Sequence, residues 1–311
     1  MYKFKPILKT LVWGTESWVL SGVPGSESVV AEGPDEGKTL SEVYGGQFPL
    51  LIKFIDAHDD LSIQVHPDDR LARERHGCNG KTEMWYVIGA GAGAHLMSGL
   101  KKRITPEEYV SRVQDGTITD VLCDYKVAPG DVFFIPAGRI HAIGGGCFIA
   151  EIQQTSDITY RIYDYGRPGL DGKPRQLHTE EAKDAIDYSV KPDYRTGYND
   201  ERDSENMLVR CPFFTTSLFD LTAPYTKDTH NLEAPLVVMC VGGECTVSTQ
   251  ELKPKQTLKF MGRVRTSKEK ELVKETYTIL PGECVLVPAS VQEVLFTPSE
   301  QGAKILTSFA R

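Results

Sequence analysis

The stretch VAPGDVFFIPAGRIHAI (127–143) reads as turn, strand, turn, strand. Pro129-Gly130 carries turn chemistry, because proline presets φ and glycine tolerates positive φ. DVFFIP (131–136) is a short aromatic and β-branched run between turn signals, the signature of a buried strand. Pro136-Ala137-Gly138 makes the second turn, and His141 lands just beyond it, aimed back at the buried face. ILPGECVLVPASVQEVL (279–295) repeats the grammar: apolar, Pro-Gly-acid, a short apolar run, Pro, small, small. YVIGAGAGAHLMSG (86–99) and VVMCVGGECTVS (237–248) form a second pair in the same order. Two matches in one order predict a duplicated β unit.

Strand-like runs fill the segment around this hairpin: FPLLIKFID (48–56), LSIQVH (61–66), EMWYVIG (83–89), CFIAEIQQ (147–154) and ITYRIY (158–163). Thr105-Pro106-Glu107-Glu108 predicts a helix opened by a capping box with proline at its first position and closed near Gly116. A short helix is expected at Thr179-Glu180-Glu181 and AKDAI. DYSVKPDYRTGYNDERDSEN is polar and irregular and reads as a linker. Strands resume at FFTTSLFDL, PLVVMCV, CVLVP and KILTSF, while SKEKELVKET (267–276) reads as a solvated hairpin or loop. The expected division is 1–186, a linker at 187–210, and 211–311. At 311 residues each half is long enough to bury its own core.

With 43 acidic against 35 basic residues the formal net charge is −8, which argues against nucleic acid or an anionic membrane as a partner. Nothing in the chain resembles a membrane span or a good signal peptide. The seven cysteines include no CxxC pair; Cys123, Cys147, Cys240 and Cys284 lie in or beside apolar runs and are expected as buried, reduced thiols, and Cys240 and Cys245 flank VGGE, read as a turn. A cytoplasmic location is therefore expected. Oligomeric state is left open.

The chemistry is carried by rows of polar residues in strands. Residues i and i+2 share a face, so Ser62, Gln64 and His66 lie opposite Leu61, Ile63 and Val65, and Lys81 and Glu83 share another face. Buried polar rows cost several kcal/mol unless something satisfies them. A metal ion would do so.

Gly130-x5-Pro136-x-Gly138-x2-His141 resembles the second motif of the cupin superfamily at all four defined positions. The resemblance implies a mainly β fold of two cupin-like, jelly-roll β-barrels with a few short helices. Imidazole, amide oxygen and carboxylate form a mixed set suited to Zn²⁺, with Mn²⁺, Co²⁺ or Fe²⁺ as substitutes. LSIQVHPDD (61–69), GKTEMWY (80–86), PAGRIHAI (136–143) and EIQQTSDITYRIYDY (151–165) look like type I mannose-6-phosphate isomerases, most of all the short bacterial form. That resemblance implies one zinc per chain held by Gln64, His66, Glu83 and His141. It implies that Ser62 and Lys81 contact the sugar phosphate or the sugar hydroxyls, that Arg161 is an active-site residue, and that Glu151 transfers a proton. It also implies interconversion of mannose 6-phosphate and fructose 6-phosphate through a cis-enediol. Lys81 is the other candidate for the proton shuttle. Rival readings are another cupin sugar-phosphate isomerase, a non-heme iron oxygenase, and a non-catalytic sugar-binding regulator.

Two departures stand out. Glu293 replaces the motif histidine in the second repeat, and Ile143 stands where longer relatives place an aromatic residue. The carboxy-terminal half is therefore expected to hold no metal. Elemental analysis should give one divalent ion per chain, and His141→Ala should abolish most of it while the protein stays folded. Two equivalents, or full occupancy in the variant, would overturn the assignment.

Overall fold

The computed structural model describes residues 1–260 and 263–311, with side chains described outside 251–272. Three large antiparallel sheets make the fold. One has six strands, in the order Val132–Ile135, Glu83–Ala90, Cys147–Gln154, Leu50–Ala57, Gly14–Leu20, Ile7–Leu11. Facing it is a five-stranded sheet: Leu122–Lys126, His95–Leu100, His141–Ile143, Ile63–Val65, Tyr160–Tyr163. A nine-stranded sheet carries most of the remaining strands, and Gly22–Val23 pairs with Ser26–Glu27 in a two-stranded ribbon. The expected mainly β fold with short helices is present as facing sheets, and among the described residues no sheet closes into a barrel.

Every strand expected in residues 48–165 is found within a few residues of its predicted place. The central strands of the six-stranded sheet are buried on both faces. Ile52, Phe54, Met84, Tyr86, Ala150 and Ile152 pack outward with Leu208, Phe214, Met239 and Leu306 of the nine-stranded sheet. Ile55, Trp85, Val87 and Ile149 face inward, against Leu96 and Ile143 of the five-stranded sheet. Burial on both faces explains why its strands read as nearly continuous apolar runs. The outer face of the five-stranded sheet, with Ile63, Val65, Ala142 and Ile162, is covered by the helices Pro106–Gln114 and Thr179–Ala185.

The duplication is visible bond by bond. In the first hairpin Gly130 has φ 96° and donates to Val87 O at 2.8 Å, and Asp131 N–H reaches Ala128 O at 3.1 Å. In the second, Gly282 has φ 90° and donates to Cys240 O at 3.0 Å, and Glu283 N–H reaches Leu280 O at 3.0 Å. Each acidic side chain accepts from the backbone three residues earlier: Ala128 N–H to Asp131 at 3.0 Å, Leu280 N–H to Glu283 at 2.9 Å. The closing turns match too, with Arg139 N–H to Pro136 O and Val291 N–H to Pro288 O, both at 3.1 Å.

Local expectations change at several places. VGGE is no turn: Leu236–Phe260 is one strand, bulged at Gly242 and Gly243, so Cys240 and Cys245 do not face each other across a hairpin there. Gly243 has φ 66°, and a Cβ there would collide with Gly302 O, so backbones that close bend the strand without reversing it. Leu61 precedes its strand and joins the inward cluster rather than that of Ile63 and Val65. The capping box is half made: Thr105 Oγ1 accepts from Glu108 N–H at 3.1 Å, but the Glu108 carboxylate turns to Arg112 at 2.8 Å. SKEKELVKET, by contrast, falls on the strand Arg263–Ile279, which pairs antiparallel with Leu236–Phe260 as an arm of a hairpin, in line with the hairpin alternative, and the side chains of 267–272 lie outside the described residues. Asn206–Arg210, inside the expected linker, is also a strand of the nine-stranded sheet.

The amino-terminal strands Tyr2–Phe4 and Val30–Glu32 join the nine-stranded sheet through Cys284–Val287. Together with the core shared by residues from both halves, this pairing predicts that the two halves unfold as one cooperative unit. Leu20, fully buried in that shared core, is a direct probe. Leu20→Ala should cost ~2–5 kcal/mol. Urea unfolding followed by fluorescence and by far-UV circular dichroism should show one coincident transition, shifted in the variant.

Candidate metal centre and active site

The site lies between the six- and five-stranded sheets. Cross-strand partners in an antiparallel pair share a face. Arg161 opposes Gln64, Gln64 opposes His141, and His141 opposes Ser98, which makes one inward row on the five-stranded sheet. On the six-stranded sheet Lys53 opposes Glu151, Glu151 opposes Trp85, and Gln153 opposes Glu83. The tight turn before His141 is anchored from below, because Gly138 N–H donates to His66 O at 2.9 Å. The two histidines are thereby locked side by side, with ring centroids 4.8 Å apart.

Their tautomers follow from their backbone partners. His66 Nδ1 lies 2.9 Å from Ile158 O, and His141 Nδ1 lies 2.8 Å from Arg139 O. A carbonyl only accepts, so each Nδ1 carries the proton and each Nε2 presents a lone pair. Both Nε2 atoms turn to Glu83, at 3.6 Å for His66 and 3.4 Å for His141. Burial, then Lys81, holds His66 well below the usual imidazole range; burial drives His141 down to about 3. Both rings are therefore neutral at pH 7.

His66, Glu83 and His141 are buried and offer one ligand atom each within 4.8 Å of one another. Glu83 Oε1 is buried with no hydrogen-bond partner. Two lone pairs and one orphaned carboxylate oxygen fit a divalent ion, and carbonyl-bound Nδ1 atoms are the usual outer support of metal-binding histidines. Gln64 stands beside them, its amide nitrogen 3.4 Å from His141 Nε2. To serve as a fourth ligand it would turn its amide so that the oxygen faces inward.

Two lysines thread through the same space. Lys81 Nζ lies 3.0 Å from His66 Nε2, donates to Glu83 Oε2, and stands 3.7 Å from Glu151. Lys53 Nζ lies 3.1 Å from Glu151 and 3.8 Å from Glu16. Trp85 Nε1 donates to Glu151 Oε2 at 3.0 Å. The two carboxylates are driven apart. Burial, then the Glu151 charge, pushes Glu83 up. Burial would also raise Glu151, but Lys53 and Lys81 outweigh it and hold it below the usual range. Burial pulls the Lys53 ammonium down, yet Glu151 and Glu16 leave it above its ordinary value. Carboxylates separated in this way are a pattern of acid–base sites.

The sequence-based candidates thus divide. His66, Lys81, Glu83, His141 and Glu151 converge; Gln64 flanks them, and Ser62 is buried. Arg161 is on the expected inward face, but its Nη1 donates to Gln176 O at 2.9 Å, towards the rim. Sequence reasoning missed Lys53, Glu16 and Trp85. Lys53 had a signal: it is the one charge within the apolar run LLIKFI (50–55). At the position equivalent to His141, Glu293 is exposed.

A family model for the type I phosphomannose isomerase catalytic domain matches residues 16–86. The chain is 34% identical over 249 residues to mannose-6-phosphate isomerase ManA of Bacillus subtilis, covering 70% of this chain and 79% of that protein. To the mannose-6-phosphate isomerase of Streptococcus mutans it is 37% identical over 230 residues, covering 68% and 72%. The crystal structure of the Bacillus subtilis mannose 6-phosphate isomerase superposes with a TM-score of 0.80 at 26% identity, covering 99% of this chain and 98% of that one.

Glu151 generates a pH prediction. Its folded pKa is depressed, so the stability it contributes is present above the unfolded value of ~4.3 and is lost as pH falls through the folded value. Glu151→Gln should therefore lose less stability between pH 5 and pH 3 than the parent does. Parallel thermal melts across that range check it, and equal slopes would refute it.

Proposed function

We propose that this chain, which belongs to the mannose-6-phosphate isomerase family, interconverts mannose 6-phosphate and fructose 6-phosphate. The observation that carries the reading is the convergence of His66, Glu83 and His141 beside the Lys53–Glu151–Lys81 ion chain. His66, Glu83 and His141, with Gln64, would hold a divalent ion, which we take to be zinc. When bound, such an ion supplies Lewis-acid polarisation of the sugar oxygens. The reaction needs a proton taken from C2 of the open-chain aldose and returned to C1, with a cis-enediol between. Glu151, held ionised by Lys53 and Lys81, is in the state a proton acceptor requires. Lys81 sits where it can hydrogen-bond a sugar oxygen and balance growing charge. Trp85 keeps the Glu151 carboxylate oriented. The inward walls of Trp85, Phe133 and Leu96 exclude bulk water. Seven free cysteines support a reducing, cytoplasmic setting.

Anaerobic turnover of mannose 6-phosphate, with metal content measured on the same sample, is the direct test. Turnover that requires O₂, or none with metal present, would reject the reading. Arg161, on the inward face beside Gln64, is assigned to the negative charge that develops on the enediolate. Arg161→Ala should lower kcat by ~100-fold or more with metal content unchanged. Arg161→Lys should recover only part, since it loses the planar fork. An unchanged kcat with a raised KM would instead mark Arg161 as a ground-state binder.

A further inference from the structure

Tyr160–Tyr163 ends the five-stranded sheet. It is four residues long, and its pairing with Ile63–Val65 shifts register between Arg161 and Tyr163. In an antiparallel edge strand every second residue turns its N–H and C=O away from the neighbouring strand. Arg161 is such a residue. Sheet pairing alone would leave its backbone groups open and its place on the strand weakly held.

His178 takes both groups. Its N–H donates to Arg161 O at 2.7 Å, and its ring Nδ1 accepts from Arg161 N–H at 3.1 Å. The same segment takes the side chain, because Arg161 Nη1 donates to Gln176 O at 2.9 Å. A backbone N–H only donates, so Nδ1 of His178 carries no proton and Nε2 does. That is the opposite tautomer to His66 and His141. The ring faces Arg161 and Tyr160 on the strand, His76 on the helix Asp69–His76, and Glu181 on its own helix. Burial lowers it below the ordinary imidazole value; Glu181 opposes that shift, while Arg161 and His76 add to it. The neutral ring that the hydrogen bond requires is therefore the form present at pH 7.

The position makes this use of the ring unusual. His178 is the N-cap of the helix Thr179–Ala185, a place where Ser, Thr, Asp or Asn usually accepts from a helix N–H. Its side chain makes no such bond. The ring instead packs beside Tyr160, with centroids 6.2 Å apart, and the Tyr160 hydroxyl lies 2.8 Å from His76 Nε2. Tyr160 and Ala182 share one core, so the helix and the strand are fixed to each other. A cap residue that leaves its own helix unserved and grips the backbone of Arg161 breaks a local rule at the place where function demands it.

We propose that His178 is a positioning residue, whose ring and backbone hold Arg161 at its place on the edge strand so that the guanidinium is aimed into the site. This rests on the role given to Arg161 above. His178 itself touches neither substrate nor reacting atoms, and it acts through Arg161.

The experiment uses metal-loaded full-length protein carrying isotope-labelled arginine. For His178→Leu, His178→Gln and His178→Asn it reads kcat and KM for mannose 6-phosphate, metal content, and the hydrogen-exchange rate of the Arg161 amide by NMR. Leu offers no acceptor, and Gln carries its amide to the place of Nε2. Both should speed exchange at Arg161 and lower kcat by about tenfold or more, with KM within about threefold and metal content unchanged. Asn places its amide oxygen where Nδ1 lies and should restore protection and kcat together. A histidine that only packs would show no such split between Asn and Gln. Across the folded variants kcat should follow protection of the Arg161 amide. Parent kcat with an exposed Arg161 amide, or lowered kcat with that amide fully protected, would overturn the proposal. An inactive Arg161→Ala beside a fully active, unprotected His178→Leu would reject the positioning alone. A parent protein that turns over no mannose 6-phosphate, or an Arg161→Ala protein with parent kcat, would reject the underlying reading and the positioning with it.

Discussion

Buried charge governs the architecture of the site. Lys53, Lys81, Glu83 and Glu151 are nearly inaccessible to water, and each would cost several kcal/mol if left alone in the interior. They are tolerated because they alternate: Glu16, Lys53, Glu151, Lys81 and Glu83 follow one another through contacts of 3.8 Å or less. The chain is anchored on a sheet whose both faces are packed. Removing one member would leave its neighbours unpaired, so the site and the core are under one constraint. The same alternation sets the protonation states, since Glu151 lies between two ammonium groups while Glu83 has one, together with the neutral imidazoles.

The layered packing follows from this. A site built on the inward face of the six-stranded sheet needs a rigid support behind it. The carboxy-terminal half supplies that support, placing Leu208, Phe214, Met239 and Leu306 against Ile52, Met84 and Ile152. Duplication yielded two hairpins with the same hydrogen bonds and different tasks. One ends in His141, buried in the site; the other ends in the exposed Glu293 and contributes its apolar strands to the shared core.

At the open end the charge balance reverses. Along the ion chain each cation meets a carboxylate, whereas around Asp164 guanidiniums are in excess. An acidic protein with net charge −8 repels an anionic substrate in bulk. Next to the register shift between Arg161 and Tyr163, two arginines on the single carboxylate of Asp164 leave a local excess of positive charge.

The sequence by itself determined the hairpins, their duplication, the polar rows and the set His66, Glu83 and His141. These are local: turns obey proline and glycine stereochemistry, and side-chain direction along a strand has a period of two. Tertiary structure decided what meets what. Lys53 and Glu151 are 98 positions apart in the chain, and only the register of Leu50–Ala57 against Cys147–Gln154 makes them partners. The Gly242–Gly243 bulge replaced an expected turn because a neighbouring strand bends with it. Lys81 turned inward to the ligands, and Arg161 leaned towards Gln176. Strand register and bulges are chosen by packing between distant segments, and no local pattern encodes that choice.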